Sequence, residues 1–348
     1  MLKIEEISSV ASEIIEETAP EIDKSIQVTP KEYRARWRRI QEAMAEKGYT
    51  LLYVCGSELD RSDAAWIAGI YDPMIERYAV MLPVEGEPVI LAGSEGGHVL
   101  EEAAERSGAK IALLREFQIS DEYYRWAKFV KLDQVLDEIG VPKSGARVVI
   151  ASPPDVLPYA QYQMLLNTFG PGNVTFDPML LQLIKYEKSD KELAIIQEAV
   201  KIADAAMRGM LAVTVPGLTE LQVASVGDYI MKALGAGRTG FCTIVTSGDR
   251  NYTIIGPATN KVIHKGEMVS LGVSPTFNGY HGVVRRTVRA GEEPNPEQRS
   301  FLEAVERLYM VVMEALEEAA RENLPSNYVD KRGREYLEQL KLKSLTGE

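Results

Sequence analysis

The run LGVSPTFNGYHGVVRRTV, Leu271 to Val288, contains two β-rich stretches that meet at Asn278-Gly279, the residue pair that most readily takes the positive φ angles of a type I′ turn. A two-residue loop fixes the register by arithmetic. Phe277 faces Tyr280, Thr276 faces His281, Ser274 faces Val283 and Gly272 faces Arg285. Strand alternation then places Ser270, Gly272, Ser274, Thr276, His281, Val283, Arg285 and Thr287 on one face. Pro275 is where the ladder is expected to break, because proline has no N–H to donate.

Upstream, LIKYEKSDKELAIIQEAVKIADAAM opens a helix. Ser189 and Glu192 form a capping box, and Leu193, Ile196, Val200, Ala203 and Met207 recur at helical spacing as its expected buried stripe. A second box, Thr219 with Gln222 after the Pro216-Gly217 turn, starts a helix carrying Val223, Val226 and Ile230 and ending at Gly235 or Gly237. In the N-terminal half, Thr29, Pro30 and Glu32 start a helix that ends at Gly48, with Trp37, Ile40 and Met44 inward and the arginines of YRARWRRIQ on a solvated face. Strands are expected at Leu51 to Cys55, Tyr78 to Leu82, Pro88 to Leu91, Lys110 to Leu114 and Arg147 to Ala151, with a helix around Tyr159 to Phe169. Pro171, Gly172 and Pro178 mark a linker.

The hairpin resembles that of the pita-bread family containing aminopeptidase P, prolidase, methionine aminopeptidase and creatinase, whose metallopeptidases read roughly D-I-G-x-x-x-N-G-Y-x-S-D-I-T-R-T-V. Lys188, Ser189 and Glu192 match the L-R-x-x-K-S-x-x-E run that opens the family's catalytic domain, and Lys185 stands where arginine is usual. FCTIVTSGDRNYTIIGPATNKVIHKGE is similar to the family's strand, Ser-Gly turn and substrate loop. The resemblance implies an α/β (α+β) fold: a helical extension over 1–28, a creatinase/prolidase-type mixed-sheet domain over 29–172, and an incomplete pita-bread domain over 180–348. It also implies a homodimer. The chain reads as roughly four fifths of a family member, stopping before the histidine strand and the two glutamate ligands of the second half.

At the metal-ligand positions of that frame stand Gly272 and Val283. Neither side chain can bind a cation, and the guanidinium of Arg285 on the same face repels one, so no metal or other cofactor is expected. The family's substrate-loop histidine falls at Ile255. Creatinase, which works without metal through a His and Glu pair, is the nearest comparison for the hairpin, yet its histidine also falls at Ile255 and its glutamate at Arg285, which cannot act as a base.

The formal net charge of −12 argues against nucleic-acid binding as a main role. No run approaches the length of a membrane span, and the glutamate-rich N-terminus is unlike a signal peptide, so the chain reads as cytoplasmic and not membrane-bound. Leu2 to about Thr18 is expected as an amphipathic helix packing on its own domain or on a second subunit. Cys55 and Cys242 lie in separate apolar runs and are expected as buried, reduced thiols. His98 and His264 read as surface residues.

Three functions are compatible with these residues. The first is a metal-independent hydrolase of the C–N bond of a small amide, amidine or dipeptide-like substrate, with His281 moving protons and Arg285, Ser247 and Tyr252 binding substrate. The second is a non-catalytic homologue that holds a small molecule or short peptide. The third is an Xaa-Pro peptidase.

Overall fold

The computed structural model describes residues 4–73, 76–119 and 124–340. The N-terminal half alternates helix and strand in the order α1 (Ile4–Thr18), α2 (Pro30–Glu46), β1 (Leu51–Gly56), α3 (Ser62–Ala68), β2 (Tyr78–Pro83), β3 (Val89–Ala92), α4 (Gly97–Ser107), β4 (Lys110–Leu113), α5 (Leu132–Glu138), β5 (Val148–Ile150), α6 (Tyr159–Phe169) and β6 (Val174–Phe176). The strands form one six-stranded mixed sheet in the order β4-β3-β2-β1-β5-β6. Strand β1 pairs antiparallel with β2 and parallel with β5. Every residue of β1 and β2 is buried, which explains their near-continuous apolar sequence. Strand β6 lies beyond residue 172 and pairs with β5, so the sheet runs past the expected domain limit.

The second half contains α7 (Pro178–Tyr186), α8 (Asp190–Val213), α9 (Glu220–Ala233), β7 (Ile244–Ser247), β8 (Met268–Val273), β9 (Thr276–Phe277), β10 (Tyr280–His281), β11 (Val284–Arg289), α10 (Pro296–Glu322) and α11 (Asn327–Gln339). Strands β7, β8 and β11 make an antiparallel sheet in the order β11-β8-β7. One face, with Val245, Val269, Leu271 and Val273, joins the core formed with α8 and α9. Helix α1 also packs on α8 and α9, burying Ala11.

The hairpin register is the expected one. Phe277 pairs with Tyr280, Thr276 with His281 and Gly272 with Arg285, and Asn278 and Gly279 have φ of 46° and 83°. The ladder is interrupted at Ser274-Pro275, and the Gly282 N–H returns to the Pro275 carbonyl at 3.2 Å. A Cβ on Gly282 would lie 2.2 Å from the Ala199 carbonyl oxygen. The hairpin can therefore lie against the backbone of α8 only because this position has no side chain.

Helix α8 differs from expectation in which face it buries. Its Ser189–Glu192 capping box is present, but the buried side is Ile195, Ala199, Ile202 and Ala206, joined by Ala203 and Met207, while Leu193 and Val200 are 48% and 44% exposed. Two apolar rows run along this helix, and α9, α1 and the hairpin select the one rich in alanine because it permits close approach. Arg36 is a second correction. It lies on the expected solvated face of α2 yet is buried.

Candidate active-site region

Two open regions flank the hairpin. The first is the outer face of β8 and β11, the face that carries Gly272, and it opens into a cavity of about 710 Å³ whose lining includes Ser270, Arg285, Arg286, Thr287, Glu306 and Tyr309. The second, of about 300 Å³, lies between α3, the start of α8 and the hairpin tip, and is lined by Arg61, Trp66, Lys188, Glu192, Tyr280 and His281 among others. Alternation puts Arg285 and His281 on one face of the ribbon. The break at Pro275 separates them, so that they open into different cavities.

Arg285 is exposed, and its Nη2 donates to the Ile254 carbonyl at 2.8 Å. This single bond aims the guanidinium across the face while leaving its other N–H groups for a ligand. His281 Nδ1 shares a 3.1 Å hydrogen bond with Thr276 Oγ1. Partial desolvation, assisted by the nearby Arg61 charge, holds the imidazole below its ordinary pKa, so it is neutral at pH 7.

The structure places the other two expected substrate residues elsewhere. Ser247 is fully buried; its N–H and Oγ both donate to Glu220 Oε1 at 2.9 Å, and Lys261 Nζ donates to its Oγ at 2.9 Å. The serine thus lies inside a buried ionic cluster rather than at a cavity wall. Tyr252 is 74% exposed and lines neither cavity. Glu220 was missed in the sequence. It is 0% exposed and gathers Ser247, Arg250 at 3.1 Å and the Thr259 N–H and Oγ1 at 3.1 and 2.8 Å. It therefore ties the substrate-loop segment to the first turn of α9. Its only sequence signal was an acid just after the Thr219 cap, which helix-dipole chemistry explains equally well.

The floor of the smaller cavity holds a second buried network that joins the two halves of the chain. Glu192 Oε1 accepts from Trp66 Nε1 and Tyr280 Oη, each at 2.8 Å. Arg36 Nη2 donates to Tyr280 Oη and to Glu32 Oε1, each at 2.9 Å, and lies 3.4 Å from Glu192. Glu32 also accepts from Ser189 Oγ at 2.7 Å. Burial acts to raise the Glu192 pKa, but the Ser189 N–H, Arg36, Tyr280 and Trp66 outweigh it and hold the carboxyl below the usual range. Of the Lys188, Ser189 and Glu192 motif, Ser189 and Glu192 thus anchor the start of α8 to the N-terminal half.

Cys55 is buried and its thiol is pushed up to about 11 by desolvation. Cys242, expected to be buried, is exposed, because it follows the 237–240 loop ahead of β7 instead of lying within the strand. His264 is exposed, and the side chain of His98 lies outside the described residues.

The donor set on the open face does not fit the metal pair that the fold implies. Gly272 offers no side chain, Val283 is an exposed valine and Arg285 is cationic. Among the described residues no three His, Cys, Asp or Glu side chains converge to hold an ion.

The sequence model of metallopeptidase family M24 matches residues 194–347. Over that segment, somewhat under half of its length, the chain is similar to the family. It is 32% identical to the Xaa-Pro dipeptidase of Pyrococcus furiosus over 184 residues, 51% of each protein, and 33% identical to an uncharacterised Bacillus subtilis peptidase over 147 residues, 42% of this chain and 40% of that protein. These matches span about half or less of the curated relatives' length. The fold agrees with two solved structures. The prolidase of Pyrococcus horikoshii superposes with a TM-score of 0.65 at 21% identity, covering 88% of this chain and 78% of that one. Dipeptidase PepE of Mycobacterium ulcerans superposes at 0.67 and 20%, covering 91% and 79%. The pita-bread expectation for the fold is thereby met. No helix among the described residues is long and apolar enough to cross a membrane.

Proposed function

We propose that this chain is an Xaa-Pro peptidase-type protein that takes a short peptide against the open face of β8 and β11, with Arg285 binding a carboxylate of the peptide. The Arg285 guanidinium carries the reading. It is held by one carbonyl, faces the larger cavity and matches a carboxylate in geometry and charge. The substrate class comes from the Xaa-Pro dipeptidase relatives. Gly272 and Val283 at the metal-ligand positions favour, within this reading, either a reaction without a metal pair or binding without release. A pairing of His281 with Arg285 on one substrate has no support, since the two line separate cavities.

Calorimetric titration with Ala-Pro, paired with an assay of proline release with and without EDTA, tests this. Saturable binding is expected, weakened by Arg285→Ala at about 1.5–3 kcal/mol, the value of a charge-assisted hydrogen bond. Release that persists in EDTA assigns the metal-free reaction, and binding without release assigns a non-catalytic binder. Absence of binding refutes the proposal.

A further inference from the structure

The smaller cavity is more cationic than its structural role requires. Two of the charges at its wall are already matched: Glu192 by Arg36 at 3.4 Å and Lys185 by the buried Asp63 at 2.7 Å. Two cations lining the same cavity are not. Arg61 and Lys188 have no carboxylate within ion-pair distance among the described residues. Arg61 is half-buried; its Nη1 donates to the Glu58 carbonyl at 3.1 Å and its Nη2 lies 3.5 Å from Thr276 Oγ1. Lys188 Nζ is held by the Lys185 carbonyl. Asp60 is the remaining acid on the wall, and its Oδ1 accepts weakly from the Ser62 N–H and Oγ at 3.4 and 3.5 Å.

The same lining also has an apolar part. Trp66, Ala65 and Ile196 supply it, and Trp66 is fixed in place by its 2.8 Å bond to Glu192. A cavity of about 300 Å³ lined by an indole, a guanidinium and a lysine is at the small end of ligand-site size. An oxyanion would satisfy Arg61 and Lys188 together, and its apolar body would cover Trp66.

We propose that the cavity between α3, α8 and the hairpin tip is a binding site for a small carboxylate with an apolar body, held by Arg61 and Lys188 against Trp66. The site is separate from the open face and does not depend on peptide binding there. His281, at its edge beside Arg61, reports occupancy without being required for it.

The test uses the intact protein with benzoate and inorganic phosphate as probes, followed by calorimetry and by the NMR shift of the His281 ring. Benzoate should bind saturably, shift His281 and outcompete phosphate. Arg61→Gln and Lys188→Gln should each weaken it about tenfold or more, whereas Arg299→Gln, at a surface ion pair with Glu293, should not. Lys188 is exposed, so its variant tests the site even if loss of Arg61 disturbs the loop. No saturable benzoate binding, tighter binding of phosphate, or unchanged affinity in both cavity variants overturns the proposal.

Discussion

Replacing Tyr280 with phenylalanine removes one oxygen from the network that joins the two halves of the chain. That hydroxyl donates to Glu192 at 2.8 Å and accepts from Arg36 at 2.9 Å. Each bond involves a charged partner, a class that contributes about 1.5–3 kcal/mol. The loss is less than the sum of two, because Glu192 keeps Trp66 and the Ser189 N–H, and Arg36 keeps Glu32 and the Trp66 carbonyl. The ring itself is unchanged, so no cavity forms. We expect a destabilisation of about 2 kcal/mol, close to one charge-assisted bond. Urea unfolding followed by tryptophan fluorescence measures it, with Tyr252→Phe as the control because Tyr252 is 74% exposed. A Tyr280→Phe change under about 0.5 kcal/mol, the range of ordinary surface substitutions, would refute the idea that this network joins the two halves.

The same network predicts a dependence on pH. The folded Glu192 carboxyl sits below its ordinary value, so its contribution is fully present above the unfolded value and is lost as pH falls through the lowered folded one. Wild type should therefore exceed Glu192→Gln in stability at neutral pH, with the gap closing in acid; a gap independent of pH contradicts the assignment. A thiol reagent at pH 8 should label one cysteine per native chain, Cys242, since Cys55 is both buried and raised to about 11. Labelling of Cys55 in the native state, read by peptide mapping, would contradict the packing of β1.

How far the sequence carried depended on whether a signal was local. The Asn278-Gly279 turn, the Ser189 and Thr219 caps and the register between Gly272 and Arg285 were legible because each is set by residues in contact along the chain. The buried side of α8 was not, because Leu193 and Val200 repeat at the same helical period as Ile195, Ala199 and Ile202, and only the neighbouring elements decide between the rows. Arg36 and Glu220 escaped notice for a related reason. An isolated charge reads as solvent-facing until partners distant in sequence, such as Tyr280 for Arg36 and Thr259 for Glu220, are brought to it. The placement of Ser247 inside a buried cluster, and of Arg285 and His281 in separate cavities, likewise follows from packing and from the break at Pro275.

The β8–β11 face, with Gly272, Val283 and Arg285, is not expected to hold paired divalent cations. Elemental analysis of the protein after equilibration with manganese, cobalt or zinc and removal of free ion tests it most directly. Well under about one ion per chain is expected. About two bound ions per chain, the stoichiometry of a two-metal hydrolase, would contradict it.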